Sequence, residues 1–151
     1  MLMIARDREY EDIRDSLKGK KVIIWTCNTC ARLCNGMGGD EAANNLASVL
    51  KRDGIEIKGV MSTSASCLKG KVRQKEDKEI IGDADTILSL TCDIGSQCAS
   101  SVFGIKALNP FVTLGPGFID EDRSLFVSSK EGNEKLSNEA SKRGLKISPY
   151  V

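Results

Sequence analysis

The chain has 151 residues, 40% of them hydrophobic and 28% charged, with a formal net charge of +1; that length and balance suit a single globular domain, residues 1–151, with a core of its own. So even a charge leaves no electrostatic footprint for nucleic acid or an anionic membrane. One tryptophan, two tyrosines and four phenylalanines give few platforms for stacking bases, and there is no histidine, which excludes any Ser-His-Asp or Cys-His nucleophile within the chain.

No apolar run approaches the roughly 20 residues of a membrane span. The first ten residues turn charged after five, unlike a secretory signal, so a cytoplasmic location is the expectation. Residues 5–18 read as a helix, with Ile4, Tyr10, Ile13 and Leu17 as a partial apolar stripe and Gly19 at the stop position. Residues 22–26 form a continuous apolar run, the pattern of a strand buried on both faces. A loop carrying Cys27, Cys30 and Cys34 follows and ends in the glycine-rich stretch 35–39.

A helix then starts near Asp40, a plausible N-cap. Its apolar face is Ala42, Ala43, Leu46, Ala47, Val49 and Leu50, and Gly54 stops it. The second strand covers 55–61, and a polar stretch, 62–66, leads to Cys67. Residues 69–81 read as a charged, solvated helix. After a turn at 83–85 the third strand, 86–91, closes on Cys92. Asp93 is placed to cap a helix reaching Phe103, which carries Cys98. Residues 111–114 read as a fourth strand, halted by Gly115-Pro116-Gly117. Beyond it a short strand at 125–127, a helix at 131–142 and a last strand at 145–147 are expected.

Alternation of strand and helix predicts an α/β fold with a mainly parallel sheet, in the manner of a Rossmann-like, doubly wound three-layer domain. Right-handed crossovers put every strand-to-helix loop at the carboxyl edge of such a sheet, where ligands bind. The six cysteines follow three strand tips, so the fold is expected to gather them in one place.

Three cysteines within eight residues let several sulfurs face one point. A cubane cluster needs four ligands, usually thiolates. Cys27, Cys30 and Cys34 supply three, and Cys67 and Cys92 compete for the fourth. Without histidine, a zinc site would also be thiolate-rich, so a [4Fe–4S] cluster and zinc are both open. Gly36, Gly38 and Gly39 let backbone N–H groups approach sulfur closely. The helix near Asp40 would turn its positive end toward an anionic centre. Three disulfides are disfavoured by a reducing compartment. Burial as small hydrophobes explains Cys98 well but three clustered thiols poorly. The glycine stretch lacks the spacing and lysine of a phosphate loop. A cluster with three protein ligands would leave one iron open for Lewis-acid or sulfur-transfer chemistry, an enzymatic alternative.

The run Cys27-Asn28-Thr29-Cys30-Ala31-Arg32-Leu33-Cys34, followed by Gly38-Gly39-Asp40-Glu41, resembles the cysteine-rich C-terminal domain family of methylenetetrahydrofolate reductases, the MetV-like partners of a flavin-bearing subunit. The family pattern continues with a lone cysteine after the second strand, here Cys67. A cysteine then closes the third strand before a glycine- and glutamine-containing helix start, here Leu90-Thr91-Cys92-Asp93-Ile94-Gly95-Ser96-Gln97. The match runs in order over about residues 10 to 119. The resemblance implies a flavodoxin-like domain holding an iron–sulfur cluster or zinc. It implies a non-catalytic subunit that transfers electrons to, or docks on, a flavoprotein reductase or another component of a redox complex in one-carbon metabolism. Fuller members carry further C-terminal cysteines that can hold a second cluster; here none follows Cys98.

Overall fold

The computed structural model describes residues 2–34 and 36–136. It is a mixed α/β fold with two four-stranded sheets, one parallel and one antiparallel. The parallel sheet has β2 (Lys21–Cys27) at its middle, beside β3 (Glu56–Thr63) on one side and β4 (Thr86–Leu90) on the other, with β5 (Lys106–Leu108) beyond β4. Every residue of β2 after Lys21 and every residue of β4 is buried. Side chains alternate across the sheet. Val22 and Ile24 join one apolar cluster with Leu46, Leu50, Leu88 and Leu90. Ile23 and Trp25 join another with Met61, Val72, Ile87 and Ala99.

The helices follow from their apolar spacing. In α1 (Tyr10–Leu17) the buried residues are Tyr10, Ile13 and Leu17. In α3 (Asp40–Arg52) they are Ala43, Leu46, Ala47, Val49 and Leu50, with acids in the first turn and bases in the last, as the helix dipole favours. Between them α2 (Cys30–Leu33) is one short turn. The third long helix, α6 (Asp93–Phe103), buries Gly95, Ser96 and Ala99. No helix among the described residues is long and apolar enough to cross a membrane.

The antiparallel sheet is the main departure from expectation. Residues 5–7, expected to open a helix, belong instead to strand β1 (Leu2–Asp7), paired with β6 (Phe111–Ile119). Strand β6 runs on through Gly115-Pro116-Gly117 instead of halting there. Pro116 lies opposite Met3 near a register shift and before pairing with β7 (Leu125–Ser129) begins at Gly117, a position where its missing N–H is tolerated. A Cβ on Gly117 would lie 1.9 Å from the Phe126 carbonyl oxygen, so only glycine permits this strand approach.

Residues 111–114 therefore join the antiparallel sheet, and the fourth parallel strand is β5. The expected helix at 69–81 is two short pieces, α4 (Lys69–Arg73) and α5 (Lys78–Ile81), the second capped by the Asp77 side chain. Asp40 and Asp93 are first helical residues, not caps; Gly39 and Cys92 hold the cap positions. Residues 132–135 of the expected helix at 131–142 form strand β8 (Gly132–Lys135). The rest of that helix from 137 on, and the strand at 145–147, fall outside the described residues. The short strand expected at 125–127 is present as part of β7.

Candidate metal centre

Three cysteine segments leave neighbouring parallel strands at the same edge. Cys27 is the last residue of β2 and is buried, its thiol donating to the Ser64 carbonyl at 3.8 Å. The Thr29 hydroxyl donates to that same carbonyl, and the Asn28 N–H donates to the Thr63 carbonyl at 2.9 Å. The loop after β2 is thus stitched to the loop after β3. Cys30 opens α2, half-buried, and Cys34 follows its last residue. Cys92 sits two residues past β4, half-buried at the N-cap of α6.

The glycine stretch folds back onto these ends. Gly38 N–H donates to the Ala31 carbonyl, and Gly39 N–H donates to the Thr26 hydroxyl at 2.7 Å. Thr26 in turn donates to the Leu90 carbonyl at 3.2 Å, so one buried hydroxyl ties the loop to β2 and β4. A Cβ on Gly38 would meet the Ala31 Cβ at 2.5 Å and the Leu90 oxygen at 2.8 Å. Gly39 has φ +97, a conformation glycine adopts without strain. The Asp40 N–H donates to the Asn28 side-chain oxygen at 3.1 Å, fixing the start of α3.

The Cys92 segment is held from the other side. Asn109 Nδ2 donates to the Thr91 carbonyl and to the Asp93 carboxylate, each at 3.1 Å. The Asp93 N–H donates to the Thr113 hydroxyl at 2.9 Å. Burial pushes the Cys92 thiol above the usual range, while the nearby N–H groups of Gly95 and Ile94 act to lower it. Cys30, and more weakly Cys27, push the same way as burial.

Cys34 is different. It is 1% exposed and packed with Ile4, Ala5 and Met37, and its thiol donates to the Ala5 carbonyl at 3.6 Å. Burial raises its pKa, the Ala5 contact acts to lower it, and Cys30 raises it further. Cys34 is therefore next to Cys30 but turned toward β1. Cys67 is exposed in the turn after β3; its carbonyl accepts from the thiol of Cys98, 3.7 Å away.

Of the predicted ligands, Cys27, Cys30 and Cys92 lie on segments that leave adjacent strands at one edge of the sheet, Cys34 faces β1, and the Cys67 carbonyl meets the Cys98 thiol. No three histidine, cysteine, aspartate or glutamate side chains among the described residues converge as ligands of one metal ion. Thiolates around a single zinc at about 2.3 Å must stand within about 4 Å of each other. Ligand sulfurs at the corners of a cubane stand further apart, because irons and sulfides lie between them. The residues present offer thiols from two strand ends beside a glycine-lined loop, a donor set that either group could use. Ser64, Asn109 and Thr113 are supports that sequence reasoning missed; none carries a spacing signal, since each acts through tertiary contact. No family model, curated protein or solved structure matches the chain.

Proposed function

We propose that the chain is an iron–sulfur accessory subunit of the MetV-like kind, in a flavodoxin-like or Rossmann-like domain of the cytoplasm. It carries one [4Fe–4S] cluster and passes electrons within a complex with a flavoprotein reductase of one-carbon metabolism. The observation that supports the reading is that the segments bearing Cys27, Cys30 and Cys92 leave the paired strands β2 and β4 at the same edge of the sheet. Cys34, beside Cys30, completes the set by turning its thiol from the Ala5 carbonyl toward the other three.

The group supplies one-electron exchange when bound; everything else falls to the chain. Cys27, Cys30, Cys34 and Cys92 hold it as thiolates. The N–H groups of Ile94 and Gly95, at the positive end of α6, favour negative charge at Cys92. Gly38 and Gly39 keep side-chain bulk out of the loop. The buried apolar clusters beneath the edge lower the local dielectric and restrict water.

Anaerobic purification followed by iron, sulfide and zinc analysis tests the reading. About four irons and four sulfides per chain are expected. One zinc per chain with neither iron nor sulfide refutes it, and makes the same thiols a closed structural zinc site for a docking module.

A further inference from the structure

Four large hydrophobic residues are exposed among those described, and three of them flank the cysteines. Leu33 (44% exposed) precedes Cys34, Leu68 (53%) follows Cys67, and Ile94 (50%) is two residues after Cys92. They follow β2, β3 and β4, adjacent strands of the parallel sheet, and so share its carboxyl edge. The turn bearing Leu68 and the first turn of α6 bearing Ile94 are joined directly, since the Ser66 hydroxyl donates to the Gly95 carbonyl at 2.8 Å. Exposed apolar side chains gathered at one place mark an interaction surface more often than singly scattered ones do.

The charge beside them is one-sided. Residues 64–75 contain Lys69, Lys71, Arg73 and Lys75 and no carboxylate, the acids Glu76, Asp77 and Glu79 following only after α4, in a chain whose net charge is only +1. All four are exposed. None takes part in the ion pairs found among the described residues. The Lys71 carbonyl accepts from the hydroxyl of Thr63, the last residue of β3, at 3.4 Å, which pins this basic helix to the edge. The carboxylates across the edge, Asp40 on the Asn28 amide and Asp93 on the Asn109 amide, keep their charge but lie on other segments than α4.

We propose that this edge docks an acidic protein, whose carboxylates face α4 and whose apolar spot seats on Leu33, Leu68 and Ile94. Apolar contact supplies the affinity, and the α4 cations supply orientation and association rate. The proposal goes beyond the metal reading, because the surface is present whichever metal the thiols hold.

The test uses the full chain as purified, with an acidic flavodoxin as probe, a basic cytochrome c as counter-probe and phosphatidylserine vesicles as a third arm. Saturable flavodoxin binding at low salt, weakened roughly tenfold or more by 0.3 M salt or so, is expected. The triple variant Lys69→Glu, Lys71→Glu, Arg73→Glu should abolish it. Leu68→Ser with Ile94→Ser should weaken it roughly tenfold while leaving the folding transition in place. Absence of flavodoxin binding, equal binding of cytochrome c, indifference to the charge reversal, preferential binding to the vesicles, or self-association through the same residues would each overturn the proposal. Metal content is measured on the same samples. Zinc with intact flavodoxin binding sinks the cluster reading alone; iron and sulfide without binding sinks the docking surface alone.

Discussion

The indole N–H of Trp25 donates to the hydroxyl of Ser66 at 2.8 Å, and that hydroxyl donates onward to the Gly95 carbonyl. This buried chain of two bonds fastens the middle of β2 to the loop bearing Cys67 and to the first turn of α6. A Cβ on Gly95 would meet the Ser66 Cβ at 2.9 Å, so the three segments touch without space between them.

Ser66→Ala leaves the buried indole N–H and the Gly95 carbonyl without this partner. The expected loss is about 1–3 kcal/mol of stability. Trp25 is the only tryptophan and is wholly buried, so a denaturant titration followed by its emission reads the loss directly. A midpoint equal to that of the parent protein contradicts the role given to Ser66.

Gly38→Ala drives a methyl into the Ala31 side chain and the Leu90 carbonyl. Ala31 lies between Cys30 and Cys34, so the strain falls on the thiols themselves. A stability loss of about 1–3 kcal/mol is expected from the overpacking, together with lower metal content per folded chain. Gly36→Ala is the comparison: its Cβ meets nothing within 4 Å, so only the cost of its positive φ remains. Equal metal loss in both variants contradicts the steric account.

Tyr10 donates to the Asp53 carboxylate at 2.5 Å, joining α1 to the end of α3. Burial, then the bond to Asp53, raises the Tyr10 pKa above its ordinary 10.0. The folded state keeps this proton longer than the unfolded chain, so the contribution is complete below pH 10 and is lost as pH rises further. The Tyr10 bond holds the Asp53 carboxyl below its ordinary 3.8. That contribution is present above pH 3.8 and is lost as pH falls through the lowered value. Tyr10→Phe should lower stability near neutrality and flatten both limbs of a stability–pH curve. Parallel curves for the two proteins contradict the pairing.

The middle of the parallel sheet was legible because β2 and β4 are buried on both faces and read as short, mainly apolar runs, 22–26 and 86–90. The antiparallel sheet was not. Residues 2–7 end in Arg6-Asp7 and flow into a helical stripe, so nothing local separates strand from helix. Gly115-Pro116-Gly117 carries turn residues, yet it is a strand because Gly117 alone admits the Phe126 backbone. One omission explains the other surprise. Strand β1 lies against α2, and its Ala5 carbonyl takes the Cys34 thiol. Sequence spacing groups Cys34 with Cys30, but only the unseen strand tells which way it faces. The choice between Cys67 and Cys92 was likewise open in the sequence. The proposed ligand set takes Cys92, whose segment Asn109 holds from across the fold.

Cys67→Ser and Cys98→Ser alter an exposed turn and a half-buried helix position outside the proposed ligand set. Both variants should keep the parent iron and sulfide content and an unchanged visible spectrum. Loss of half the iron or more in either one would bring its sulfur into the ligand set.

The most direct test is the electron paramagnetic resonance spectrum of the anaerobically purified, dithionite-reduced protein, recorded beside those of Cys92→Ser and Cys67→Ser. The predicted result is a reduced-cluster signal in the parent and in Cys67→Ser, with the signal lost or converted in Cys92→Ser. A signal that survives unchanged in Cys92→Ser and vanishes in Cys67→Ser, or a parent protein with zinc and no signal, would contradict the account.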